Sequence, residues 1–114
     1  MIRELAVLIA TCVSGPDATK TLEVQPIGPD SIRFRIEVLE PNCDGEVEGT
    51  ANRVGPNHFR WHAQNGCTEL LIRIGPVGIQ VEEPNPCFDL HGVNCNFAGA
   101  YRTQEIKKLT YRTD

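Results

Sequence analysis

Short runs in which apolar and polar residues alternate, each closed by turn-forming residues, constrain this chain more than any other feature. Ile32, Phe34, Ile36 and Val38 alternate with Arg33, Arg35 and Glu37. That period of two sets one side of a strand against a core and the other in water. Phe59, Trp61 and Ala63 repeat it, as do Leu70, Ile72 and Ile74, and then Val77, Ile79 and Val81. A helix cannot hold such a pattern on one face, so the chain reads as all-β.

The punctuation between runs gives the connectivity. Leu22–Gln25 and Ser31–Val38 flank Pro26-Ile27-Gly28-Pro29-Asp30, a loop of the length and composition that joins adjacent antiparallel strands. Residues 46–53 and 58–64 form a second hairpin about Gly55-Pro56-Asn57, with Gly49 marking a bulge or a close approach. Residues 69–74 and 77–82 close about Gly75-Pro76, where Pro presets one turn dihedral. Phe97–Arg102 alternates once more as a last core strand, and residues 106–111 either extend the sheet or form a tail. Strands at this spacing predict an antiparallel meander barrel or sandwich of about seven or eight strands.

The chain of 114 residues fits a single domain. Residues 1–13 form an N-terminal segment, 20–102 the β core and 103–114 a C-terminal extension. The first segment reads as a short helix or strand packed on the barrel. It is expected to be that element rather than a signal peptide, because its apolar stretch is short and its flank carries no net positive charge. No apolar run approaches the roughly 20 residues of a membrane-spanning helix. Eleven basic against fifteen acidic side chains give a net charge of −4, and the few aromatics do not interleave with Lys or Arg. Nucleic acid is therefore excluded as the expected partner.

Five cysteines in so small a chain suggest pairing in an oxidising compartment. Cys43 and Cys67 would emerge at the same end of the hairpin about residue 56, and Cys87 and Cys95 would staple their own loop, leaving Cys12 free. Cys67 with Cys87 is an equally allowed pair on spacing. Cys87, His91 and Cys95 also sit four apart in a loop, which admits zinc, although the two-residue knuckle of common zinc sites is missing. His58 and His62 share a strand face about 13 Å apart, too far to chelate together. No Gly-x-Ser-x-Gly, phosphate-cradling glycine loop or framed carboxylate pair points to catalysis. No cofactor is expected.

Acidic residues gather at two connections, with Glu37, Glu40, Asp44, Glu46 and Glu48 at one and Glu82, Glu83 and Asp89 at the other. Such rims steer a cationic partner or simply keep sheet edges soluble. Arg33, Arg35, Arg60 and Arg73 face outward and are expected to form cross-strand ion pairs with glutamates. Trp61, in phase with Phe59, is placed in the core.

The layout of Cys67, residues 69–74, residues 77–82, Cys87 and Cys95-Asn96-Phe97-Ala98-Gly99-Ala100-Tyr101-Arg102, with Gly45–Ala51 before it, resembles small bacterial envelope domains that end in a Phe-x-Gly-x-Tyr-Arg strand. Similar folds serve as periplasmic lysozyme inhibitors and as immunity proteins against wall-degrading toxins. The resemblance implies a non-enzymatic protein that binds a protein partner, in the periplasm or secreted, with the cytoplasm as the alternative. The Ser-Gly-Ser-Gly-type loop of the lysozyme inhibitors is missing, so the implied target is another envelope hydrolase or toxin. Glu40, Asp44, Glu83, Asp89 and His91 are the expected contact residues, the acids supplying charge and His91 a hydrogen bond. The competing expectations are a carrier for a small apolar ligand and a zinc-stabilised interaction module.

Overall fold

A computed structural model describes the backbone of residues 2–15, 18–40, 43–64, 68–84 and 96–112, and the side chains of 7–13, 19–40, 45–64, 68–84 and 96–104. Its strands are β1 (Ile2–Gly15), β2 (Ala18–Pro26), β3 (Ser31–Glu40), β4 (Cys43–Gly55), β5 (His58–His62), β6 (Glu69–Ile74), β7 (Gly78–Glu82) and β8 (Gly99–Arg112). They follow one another round a closed antiparallel barrel, with β1 pairing to both β2 and β8. Among the described residues there is no helix, and so none long and apolar enough to cross a membrane. The N-terminal segment is a strand, and the sheet continues past residue 102 because β8 keeps its pairing with β1 as far as Ile2 and Arg112.

The alternation read from the sequence is the inside-outside alternation of the barrel. Ile32, Phe34, Ile36 and Val38 are at most 3% exposed, and Leu22, Val24, Leu70, Ile72, Ile79 and Val81 join them in one core. Burying side chains of this size contributes about 1.5–3 kcal/mol apiece, and ring closure lets every strand contribute. Val77 is the exception: it sits in the β6–β7 turn and is 78% exposed, not in the core. The turn is closed one residue later by Gly75 N–H donating to Gly78 O (2.8 Å). At the β4–β5 turn Pro56 presets one dihedral, and Asn57 takes the left-handed region (φ 55°), which asparagine tolerates better than most residues.

Up-and-down order sorts the connections. The β1–β2, β3–β4, β5–β6 and β7–β8 links leave one end, here the loop end, while the other three links, Ile2 and Arg112 occupy the opposite end. The wall is uneven: β1 and β8 have 14 residues and β4 has 13, whereas β5 and β7 have 5 each. Ile2–Val7 pair with β8 alone, since the β1–β2 ladder begins at Leu8↔Val24.

Candidate functional site

A polar cluster is built into the loop end, inside the barrel wall. Lys20 is in phase with Leu22 and Val24, so its side chain enters the interior, where it is 8% exposed. Its Nζ donates to Ala98 O (2.7 Å) and Asn96 Oδ1 (3.2 Å), fastening β2 to the segment that precedes β8. A buried ammonium must have such acceptors, because leaving it unbonded costs several kcal/mol. Nearby, Phe97 N–H donates to Glu83 Oε1 (3.1 Å), and Tyr101 O–H donates to Phe97 O (2.7 Å). Cys12, a free half-buried cysteine, places its Sγ against Gly99. Thr68 is fully buried, its O accepting from Ala63 N–H (2.9 Å) to close the β5–β6 link.

These contacts correct the reading of Glu83. It was expected on an exposed acidic rim, but it is 9% exposed and its carboxylate is an internal acceptor for a backbone N–H. The reason is phase: Ile79, Val81 and Glu83 all point inward. Glu40, half-buried at the end of β3, lies close enough to act electrostatically on Tyr101, as does Glu83. Asp44 pairs through its backbone with Leu39 at the start of β4. Asp89 and His91 lie outside the described residues, though Glu82 and Gly99, which flank their connection, are at this same end. Cys67, Cys87, Cys95 and the Cys43 side chain also lie outside them, and with them both expected bridges and the zinc alternative. Among the described residues no three His, Cys, Asp or Glu side chains group as a metal site.

Burial pushes the Tyr101 phenol above its usual range, and negative charge at Cys12, Glu40 and Glu83 adds to the shift. A folded-state value raised above the unfolded one gives stability that is complete below about pH 10 and is lost as pH rises beyond it. At neutral pH, Tyr101→Phe should lose about 1 kcal/mol with the bond to Phe97 O. Above about pH 10 that deficit should shrink by up to about 1.4 kcal/mol per pH unit. Urea unfolding of both proteins across this range checks it, and parallel pH profiles would refute it.

On the outer face charge is arranged in cross-strand ladders. Arg35 lies opposite Glu23 on β2 and Glu48 on β4, and its guanidinium bonds Glu46 (2.9 Å) and Glu37 (3.1 Å). The hydrogen bond and charge of Glu46 raise its pKa further. Arg60 pairs with Glu69 (3.2 Å), which also lies 3.4 Å from His62. Arg33 and Arg73 depart from the expected pattern: they have no ion pair among the described residues, because none of their cross-strand neighbours carries a carboxylate. Those neighbours are Gln25 and Thr50 for Arg33, and His58 and Gln80 for Arg73.

The wall itself opens between β4 and β5. Their ladder consists of Asn52↔Arg60, Arg53↔Phe59 and Gly55↔His58, and no described residue of β5 beyond Arg60 pairs with β4. Toward the loop end the two strands border a groove of about 510 Å3. Trp61 spans its floor: the indole covers Gly49 and meets Phe34 edge-on, with ring centroids 5.5 Å apart at 79°. Phe34 and Gly49 are direct cross-strand partners, so the missing side chain at 49 is what lets an aromatic from the next strand reach Phe34. Gly49 is thus a close approach and no bulge, since the β3–β4 register runs unbroken through it. Trp61 is half-buried, partly core and partly groove floor. The phase of Lys20 with Leu22 and Val24 was the signal in sequence for the buried amine.

Comparisons of the chain with protein-family models, with curated proteins and with solved structures found no match.

Proposed function

We propose that the protein is a non-enzymatic binding protein whose loop end contacts a protein partner, as an inhibitor or immunity protein against a bacterial wall hydrolase or other secreted toxin. The observation that carries this reading is topological. Glu40 and Asp44 border one connection, Glu82 and Gly99 bracket the connection holding Asp89 and His91, and both connections leave the same end of a closed barrel. The packed core holds the strand ends from which these connections leave, and a preorganised scaffold lowers the ordering cost of binding. Acidic residues there favour encounter with a cationic surface.

Immobilised protein exposed to bacterial culture supernatants should retain a protein with wall-hydrolase or toxin activity and suppress it. Combining Glu40→Ala with Asp44→Ala should weaken the retained partner by about tenfold or more while leaving the thermal midpoint unchanged. Unchanged affinity in that variant would remove the contact from this end. A retained partner that keeps full activity would refute the inhibitory role.

A further inference from the structure

We infer that the opening between β4 and β5 is a docking slot for an extended, basic segment of a partner protein, which adds to the barrel as a strand on the edge of β4. The inference rests on the binding-protein reading but uses a different surface from the Glu40 and Asp44 connection.

Backbone polarity shows which groups are on offer. Arg53 N–H donates to Asp30 O (2.8 Å), toward the β3 side. Successive residues of a strand turn their N–H and C=O to opposite neighbours. With an unbroken β3–β4 register, residues 45, 47, 49 and 51 therefore face β3, and Glu46, Glu48 and Thr50 face the slot. Among the described residues β5 supplies none of these three with a ladder partner. A row of outward-turned donors and acceptors is the template that strand addition uses.

The side chains fit one kind of occupant. Val47, Gly49, Trp61 and Ala63 give the slot an apolar floor, while Glu46 and Glu48 are exposed on its outer lip. Glu46 is held by Arg35, and Glu48 has no ion-pair partner among the described residues. A strand laid beside β4 directs alternate side chains in and out in the same phase. The matching segment therefore alternates apolar residues, set on Trp61 and Val47, with Lys or Arg beside Glu46 and Glu48. An acidic or uniformly polar segment would meet like charge outside or lose the floor.

The test is titration of the full chain with a capped peptide that alternates lysine and valine, followed by amide NMR and Trp61 fluorescence. Binding should shift the Glu46, Glu48 and Thr50 amides and slow their hydrogen exchange. Affinity should fall by about tenfold for a glutamate-valine peptide and for Glu48→Gln. It should fall at least as far for a lysine-valine peptide N-methylated at alternate residues, which keeps its charge but cannot pair as a strand. No response up to millimolar peptide, shifts confined to other strands, or equal binding of the N-methylated peptide would each overturn the inference. The titration involves neither Glu40 nor Asp44 nor any hydrolase, so its failure leaves the loop-end contact standing, and loss of that contact leaves the slot standing.

Discussion

Gly78→Ala is expected to cost about 3 kcal/mol of unfolding free energy, the upper part of the usual range for overpacking. A Cβ on Gly78 would fall 2.6 Å from Tyr101 O, with the Tyr101 C and Arg102 Cα close behind it. These are backbone atoms of β8, so no side chain can swing aside and the two strands must part. The β7–β8 ladder is short, running from Gly78↔Arg102 to Val81↔Gly99, and it joins the rest of the meander to β8, whose pairing with β1 closes the ring. Tyr101 is in the same ladder, opposite Ile79, and its hydroxyl holds Phe97 O. Moving β8 there strains the polar cluster at the loop end as well as the sheet. Gly28→Ala is the matched control, because nothing lies within 4 Å of its Cβ position. It should leave stability equal or raise it by up to about 1 kcal/mol through the unfolded chain. Urea unfolding followed by Trp61 fluorescence and circular dichroism measures both. A Gly78→Ala protein within about 0.5 kcal/mol of wild type would mean the strands are not this close.

Much of this architecture was legible because a barrel strand advertises its inner face at every second position. Ile32 to Val38 and Leu70 to Ile72 were readable from alternation alone, and turn formers at 26–30, 55–57 and 75–76 fixed the order of the hairpins. Where reading failed, the pattern was being used by something other than apolar burial. Glu83 and Lys20 hold inward positions, but a charged residue in sequence looks like surface until its partners are known, and those partners include backbone atoms of Phe97 and Ala98 and the Asn96 side chain. Val77 fits the period of two yet lies in a turn, because the β6–β7 link spends one more residue than its Gly-Pro pair suggests. The groove was not legible at all. It depends on how far β4 and β5 stay in register, which is a property of two strands together and of the indole lodged between them.

Phe34→Ala is expected to cost about 3–5 kcal/mol, the usual penalty for emptying a buried aromatic site. Set against a total of about 5–15 kcal/mol for a native domain, that is enough to leave the barrel marginal. Phe34 is 1% exposed and holds Trp61 in an edge-on contact, so its loss removes both core volume and the support of the groove floor. The indole should then settle toward the vacated space, changing its emission even where the protein stays folded. Phe34→Leu, which keeps most of the volume, should cost less than about 1.5 kcal/mol and move the emission less. The geometry also demands coupling between positions 34 and 49. A Cβ on Gly49 would collide with Trp61 Nε1, so Gly49→Ala forces the indole to move in a barrel where Phe34 blocks its path. In the Phe34→Ala background that path is open, and the penalty of Gly49→Ala should fall by about 1 kcal/mol. Strict additivity in this cycle would show that Gly49 and Phe34 act on Trp61 independently, and the three residues would no longer explain why the wall opens where it does.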